Sequence, residues 1–264
     1  MEESVNAKTT CINCGTVFTG DFCHNCGQKR QVKRLSLRAF WDDYLGRIFG
    51  FDTKFLRTIK FLTIRPGEVG RSFISGNRVK YIGPVGYYFL ITTLFFIITT
   101  LLGLEVKEVL FASGQSYVAP PESEQQQAFV NDYFELISRN FKIFSGAIVV
   151  FQAFWGRIFF RKAKLNFLEH AANAFYVQGH LFFLTIMSTI IYRLSGIIIQ
   201  SYLIIPTIVY FCWASLQFYQ IQNKVKGTIK VFLFYLVSFI SFMIAIALSS
   251  FTWVLISHVG KNPA

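Results

Sequence analysis

The chain has 264 residues, of which 53% are hydrophobic, 18% aromatic and only 15% charged, with a mean hydropathy of +0.44. That is too apolar for one or two water-soluble domains and points to lipid as the solvent. The net charge of +12 is clustered: residues 29–80 hold thirteen Lys/Arg against four acids, +9 of the total, so nucleic acid, anionic lipid and membrane topology are the readings to separate.

Met1 to Thr10 has Glu2, Glu3 and Lys8 and no apolar core, so no cleavable signal peptide is expected and the front of the chain is expected in the cytosol. Thiols stay reduced there. Four of the five cysteines follow within sixteen residues, as Cys11-x2-Cys14-x8-Cys23-x2-Cys26, with each pair written C-x-N-C-G. Two residues between thiolates let the chain turn around one ion, and glycine after the second cysteine accepts the tight turn.

This is metal arithmetic rather than disulfide arithmetic, and four thiolates leave no open catalytic position. The expected occupant of Cys11, Cys14, Cys23 and Cys26 is a structural zinc ion; an iron-sulfur cluster, or His24 replacing one cysteine, are the competing readings. Residues 8–28 resemble the short zinc-ribbon module found at the ends of many bacterial proteins. So small a head buries little apolar surface, so the ion must drive its folding.

Between residues 29 and 84 the spacing predicts three helices. Ser36 caps the first, with Leu37, Phe40, Trp41, Tyr44, Leu45 and Ile48 on one face. Asp52 caps the second, with Phe55, Leu56, Ile59 and Leu62 inward, and Arg65-Pro66-Gly67 stops it. The third runs from Pro66 to Ser75, with Gly76 just past its end. Arg34, Arg38, Lys54, Arg57, Lys60, Arg65, Arg78 and Lys80 are then placed to meet anionic lipid headgroups at the interface. Nucleic acid is disfavoured because the head itself carries only Lys8 and Asp21, while the charge lies beside the first apolar run.

The order Cys-x-x-Cys-Gly, Gly20-Asp21-Phe22-Cys23-x-x-Cys26-Gly27-Gln28, Phe55-Leu56-x-Thr58, Arg65-Pro66-Gly67 and Gly76-x-Arg78-x-x-Tyr81-x-x-Pro84 resembles a bacterial family of uncharacterised membrane proteins, the domain of unknown function 3667 family. The resemblance covers roughly residues 11 to 90. It implies a zinc-ribbon head on a multi-pass bundle and no particular activity.

Behind it lie five apolar runs, 85–104, 143–160, 171–192, 197–219 and 231–257, within residues 85–258. At about 1.5 Å per residue, each suits roughly 30 Å of hydrocarbon. The connecting segments alternate in charge: residues 105–142 carry six acids and three bases, 156–169 four bases and one acid, and 223–230 three bases and no acid. The expected fold is therefore an all-α integral membrane protein with about five spans, interfacial amphipathic helices and the cysteine head. It is expected in the bacterial inner membrane, N-terminus cytosolic and C-terminus outside.

The outer segment 105–142 is expected to hold an amphipathic helix with a stripe of Phe129, Tyr133, Phe134, Ile137 and Phe141, either on the outer leaflet or as a lid. The short link from Arg193 to Gly196 predicts that the third and fourth spans form an antiparallel hairpin, and Pro206 predicts a kink in the fourth. Gln152, Asn173, Gln178, His180, Gln200 and Gln217 would be costly against lipid, so they are expected to face other helices or a wet path.

Glu169, His170 and His180 are the candidates for a second metal or a general base. The two histidines sit about 80° apart on a helix and so are expected on different faces. Cys212 reads as an inert core thiol. No Ser-His-Asp set, phosphate loop or dinucleotide fingerprint is found. The leading function is a docking or scaffold head for a protein partner. A transporter or lipid-handling protein comes next and a membrane enzyme last, with membrane lipids as partners and room for a homo-oligomer.

Overall fold

The computed structural model describes residues 8–30, 54–104, 109, 140–196 and 203–259. In the head, β1 (Thr9–Thr10) pairs antiparallel with β2 (Val17–Phe18), Thr9 opposite Phe18. The rest is helical: α1 (Lys54–Ile64), α2 (Pro66–Ile74), α3 (Pro84–Leu101), α4 (Phe141–Phe159), α5 (Phe167–Ser195), α6 (Ile204–Phe218) and α7 (Lys224–Val259). A 3-10 turn, Arg161–Ala163, follows α4.

Helix limits follow local chemistry. Pro66 opens α2, and Gly76 at φ +101° follows it in the left-handed region that a side chain would resist. Asn166 and Glu169 close a reciprocal capping box on α5, 2.9 and 2.8 Å, and Gly196 at φ +70° ends that helix.

Contacts fix the relative directions. Tyr176 hydroxyl meets the Ile82 carbonyl at 2.6 Å, Tyr87 hydroxyl meets His180 Nδ1 at 3.0 Å, and Arg193 reaches the Leu102 carbonyl, so α3 and α5 run parallel. Phe141 packs on Phe182 while Gly156 abuts His170, so α4 is antiparallel to α5. His180 meets Tyr210 and His170 meets Tyr219, so α6 is antiparallel to α5 as well. Trp155 donating to Ser241, with Phe159 on Phe234, turns α7 antiparallel to α4. The third and fourth runs are antiparallel as expected, as α5 and α6, but Arg193–Ser195, expected in the link, belong to α5, and α6 begins only at Ile204.

α5 is the central post. Ala171, Ala172, Ala174 and Gly179 keep it slim, and a Cβ on Gly179 would fall 2.9 Å from Tyr87 Cδ1. Such close approach matters because helices in lipid associate by van der Waals packing, not by escaping water. Tyr87, Tyr88, Ile91, Phe95 and Tyr176 fill the α3–α5 seam with almost no exposure. Outside, Phe89, Ile97, Val150, Phe154, Ile191, Leu233, Ile240 and Ile244 form an exposed apolar surface that water would penalise.

Three helices, α3, α5 and Lys224–Ser249 of α7, are long and apolar enough to cross a membrane. Of the five expected spans, the other two appear as the shorter apolar helices Phe144–Phe159 and Ile204–Phe218. α6 has 15 residues, a rise of about 22 Å. Residues 197–202 before it, Gln200 among them, lie outside the described residues. So do the Ser36 helix with Arg34 and Arg38, the Asp52 cap, and the expected outer helix of 105–142 up to Asn140.

Four expectations change. Leu56 was expected inward but is 72% exposed, and Thr58 takes the buried position because its hydroxyl has partners: it donates to Lys54 O at 2.6 Å and accepts from Ile82 N at 3.1 Å. Pro206 does not kink a helix interior; it sits in the first turn of α6, where its missing N–H is not needed. Lys224, Lys226 and Lys230 belong to α7 rather than to the loop before it. His170 and His180 both face α6, since an 80° offset fits inside the roughly 100° stripe a helix buries.

Candidate metal centre and the polar seam beneath it

The head is one small motif used twice. Cys11 N donates to Thr16 O and Gly15 N to Cys11 O; twelve positions on, Cys23 N donates to Gln28 O and Gly27 N to Cys23 O, all four at 2.8 to 2.9 Å. Gly15 and Gly27 hold φ of +74° and +70°, which is why glycine follows each second cysteine. The two knuckles bring Cys11 within 3.5 Å of Cys26 and Cys14 within 3.6 Å of Cys23, sulfur to sulfur.

All four Sγ atoms lie within 4.8 Å of one another, close enough to hold a metal ion. A tetrahedral ion with metal–sulfur bonds near 2.3 Å spaces its sulfurs by about 3.8 Å, so the four fit such a centre. Thr16 hydroxyl, 3.3 Å from Cys14 Sγ, pulls that thiol down to about 6, while burial pushes Cys26 up to about 11. His24 is exposed and lies outside the cluster.

The head is fastened to the helices. Gln28, only 2% exposed, donates Nε2 to the Gly76 carbonyl at 2.9 Å, just past α2. From there the α2–α3 connection is tied down repeatedly. Lys80 Nζ pairs with Glu68 at 3.3 Å and sits over the Phe61 and Tyr81 rings. Burial would lower the Lys80 pKa, but Tyr81 and Glu68 outweigh it and hold the ammonium above its usual range. Tyr210 hydroxyl donates to Leu62 O at 3.1 Å, pinning α1 to α6.

This bracing explains a cluster of motifs: Arg65-Pro66-Gly67 turns α1 into α2, Gly76 ends α2 and receives Gln28, and Pro84 opens α3. Residues 52–96 match the family described as Protein of unknown function (DUF3667). The DUF3667 match covers α1, α2 and most of α3 and stops short of the cysteine head. No curated protein and no solved structure matches the chain.

Of the remaining candidates, His180 meets the DUF3667 segment. Thr63 hydroxyl reaches His180 Nε2 at 3.2 Å and Tyr87 holds its Nδ1, so both ring nitrogens have partners; Phe183 and Tyr210 flank the ring. His170 Nδ1 pairs with Tyr219 hydroxyl at 2.8 Å, and Glu169 is committed to its cap. The three are thus drawn to separate partners, and the four-cysteine group is the metal-ligating cluster found among the described residues.

Gln217 accepts from Gly67 N at 3.3 Å. Gln152 Oε1 and Asn173 Oδ1 are buried and meet no donor among the described residues, while Gln178 is half-buried. Cys212 is buried among apolar side chains of α6 and α7.

Lys54 is half-buried; Arg57, Lys60 and Arg65 are exposed. Arg65 borders the end of α6 together with Gln217 and Gln220, and Arg157, Arg161, Lys162 and Lys164 gather at the end of α4. Sequence reasoning missed Arg71, whose guanidinium donates to Phe218 O at 2.9 Å, and Gln28, whose only sequence signal was its place directly after the second knuckle.

Proposed function

We propose that this chain is a multi-pass protein of the bacterial inner membrane whose cytosolic head holds a structural zinc ion and docks a protein partner. The observation that carries the docking reading is that Ile12, Val17 and Phe22, the large apolar side chains of the head apart from buried Phe18, are 57, 56 and 59% exposed. A head folded around four sulfurs can leave such groups on its surface, and exposed apolar groups on a rigid module suit a protein contact. Zinc supplies the head's stability; Cys11, Cys14, Cys23 and Cys26 hold it, and closed coordination gives it no reaction to perform.

Support for this orientation comes from the bases at the end of α4 and the start of α7, which meet where Lys230 covers Phe160 beside the end of α6 that α2 abuts, and from the acidic sequence of residues 105–142. Those cations meet anionic headgroups. A photo-crosslinking residue placed at Phe22 in growing cells tests the docking. One discrete protein adduct, lost in Cys11→Ser while membrane insertion persists, is expected; lipid adducts alone would overturn the reading.

A second reading, transport, is favoured by the unpartnered acceptors of Gln152 and Asn173, which a passing donor or water would satisfy. His180 weighs against it, being fully bonded and packed between aromatic rings.

A further inference from the structure

Beside the joint between α2 and the end of α6 lies a groove of about 590 Å³, bordered by Arg65, Arg71, Ser72, Gln217 and Gln220. Its walls are fixed. Gly67 lies so close to α6 that a Cβ there would fall 2.4 Å from Gln217 Cβ, and Arg71 is held in place by the Phe218 carbonyl. A guanidinium has five donors, and one strand of this fork is used. The acid on the wall, Glu68, is already engaged by Lys80 at 3.3 Å and Arg65 at 3.6 Å. Its charge is offset, and the balance of the groove is positive.

Gln220 adds an independent sign. It has φ +50°, and Ile221 N donates to Leu216 O at 3.2 Å across it, so it occupies the left-handed position after α6 where glycine is favoured. A residue with a side chain held there against backbone preference borders the groove.

We infer that this groove is a binding site for a phosphate-bearing anion. A planar guanidinium matches two phosphate oxygens at once, and serine hydroxyl and glutamine amide can meet the others. The groove is open on one side, so the phosphate can belong to an ester: a phospholipid headgroup or a soluble phosphate ester. The site goes beyond the general attraction of surface lysines for lipid, since Arg71 and Gln220 are placed by the α2–α6 joint. It assumes nothing about what the head docks, and only the lipid source assumes the membrane reading.

The test uses the full chain and hydrogen exchange of the α2 and 219–221 amides. One arm titrates inorganic phosphate in detergent. The other compares nanodiscs of phosphatidylcholine with nanodiscs containing added phosphatidylglycerol. Protection by phosphate without protection in phosphatidylglycerol discs identifies a soluble source, and protection in phosphatidylglycerol discs but not in phosphatidylcholine discs identifies a headgroup; either supports the site. Arg71→Gln and Gln220→Gly should each weaken binding about tenfold, the size of one charge-assisted hydrogen bond. Gln220→Gly keeps the fold testable, because glycine relieves the backbone and its melting temperature should not fall. Absence of protection by both probes, or wild-type affinity in Gln220→Gly, overturns the inference. Because Cys11 lines no part of the groove and Arg71 and Gln220 lie outside the head, the Arg71→Gln and Gln220→Gly outcomes are separable from the fate of the docking head.

Discussion

Gln28, the residue after the second knuckle, donates its side-chain amide to the backbone carbonyl of Gly76, 48 positions later, in a buried contact of 2.9 Å. Through it the head is seated on the carboxyl end of α2 instead of swinging on a tether. Replacing Gln28 with Ala should remove one of that carbonyl's two donors, Arg78 N at 3.0 Å remaining, a cost of about 0.5–1.5 kcal/mol. Glu should be worse, since a carboxylate would then oppose a carbonyl. Spin labels on Thr16 and Ser75 would report this as a broadened head-to-helix distance, wider in Q28E than in Q28A, with the knuckles still folded.

Removing the metal should act on the head alone. Its described core is Cys11, Phe18 and Cys23, with Cys26 against them, and so little apolar burial cannot hold two hairpins. A chelator, or Cys11→Ser, should therefore release the amides of Gly15 and Gly27 to exchange while those of α5 stay protected. The sign of the pH effect follows from proton competition: four thiols must lose their protons to bind, so zinc affinity falls as pH falls. Zinc retention should therefore decline progressively as the pH is lowered. Metal analysis across a pH series measures this.

Much of this was legible in sequence because the signals are local. Each C-x-N-C-G fixes a knuckle by itself; Pro66 and Gly76 mark the two ends of α2, and hydropathy marks the helices. What stayed hidden depends on distant partners. Leu56 and Thr58 exchanged roles because Ile82 offers Thr58 an N–H that helical spacing cannot anticipate. Pro206 reads as a kink until the helix start at Ile204 is known. Gln28 and Arg71 are invisible without the carbonyls of Gly76 and Phe218, and a period of 3.6 residues predicts a face but never which helix covers it.

His180 provides a test of packing against passage. If it is a satisfied packing group, His180→Leu should cost about 1–3 kcal/mol by orphaning Tyr87 hydroxyl, and Tyr87→Phe a similar amount. Joined in one chain, the two should cost less than their sum, because they remove the same bond. Thermal melts of the double-mutant cycle in detergent decide it; strict additivity would mean that His180 serves something other than Tyr87.

The joint between α2 and α6 gives the sharpest steric prediction. At Gly67 a methyl group would fall 2.4 Å from both Gln217 Cβ and Phe218 N, and one of those is backbone, so the helices must part. Gly67→Ala should therefore destabilise by about 1–3 kcal/mol, as overpacking does. It should also loosen Arg71 from the Phe218 carbonyl. Gly83→Ala is the control: a Cβ there meets only Phe73 Cε2 at an ordinary 3.9 Å, and its stability should stay within about 0.5 kcal/mol of the parent. Equal melting temperatures for the two variants would mean that α2 does not lie against α6. The Arg65-Pro66-Gly67 motif would then have to be explained by its turn alone, because the glycine is the only one of the three whose size the α6 contact demands.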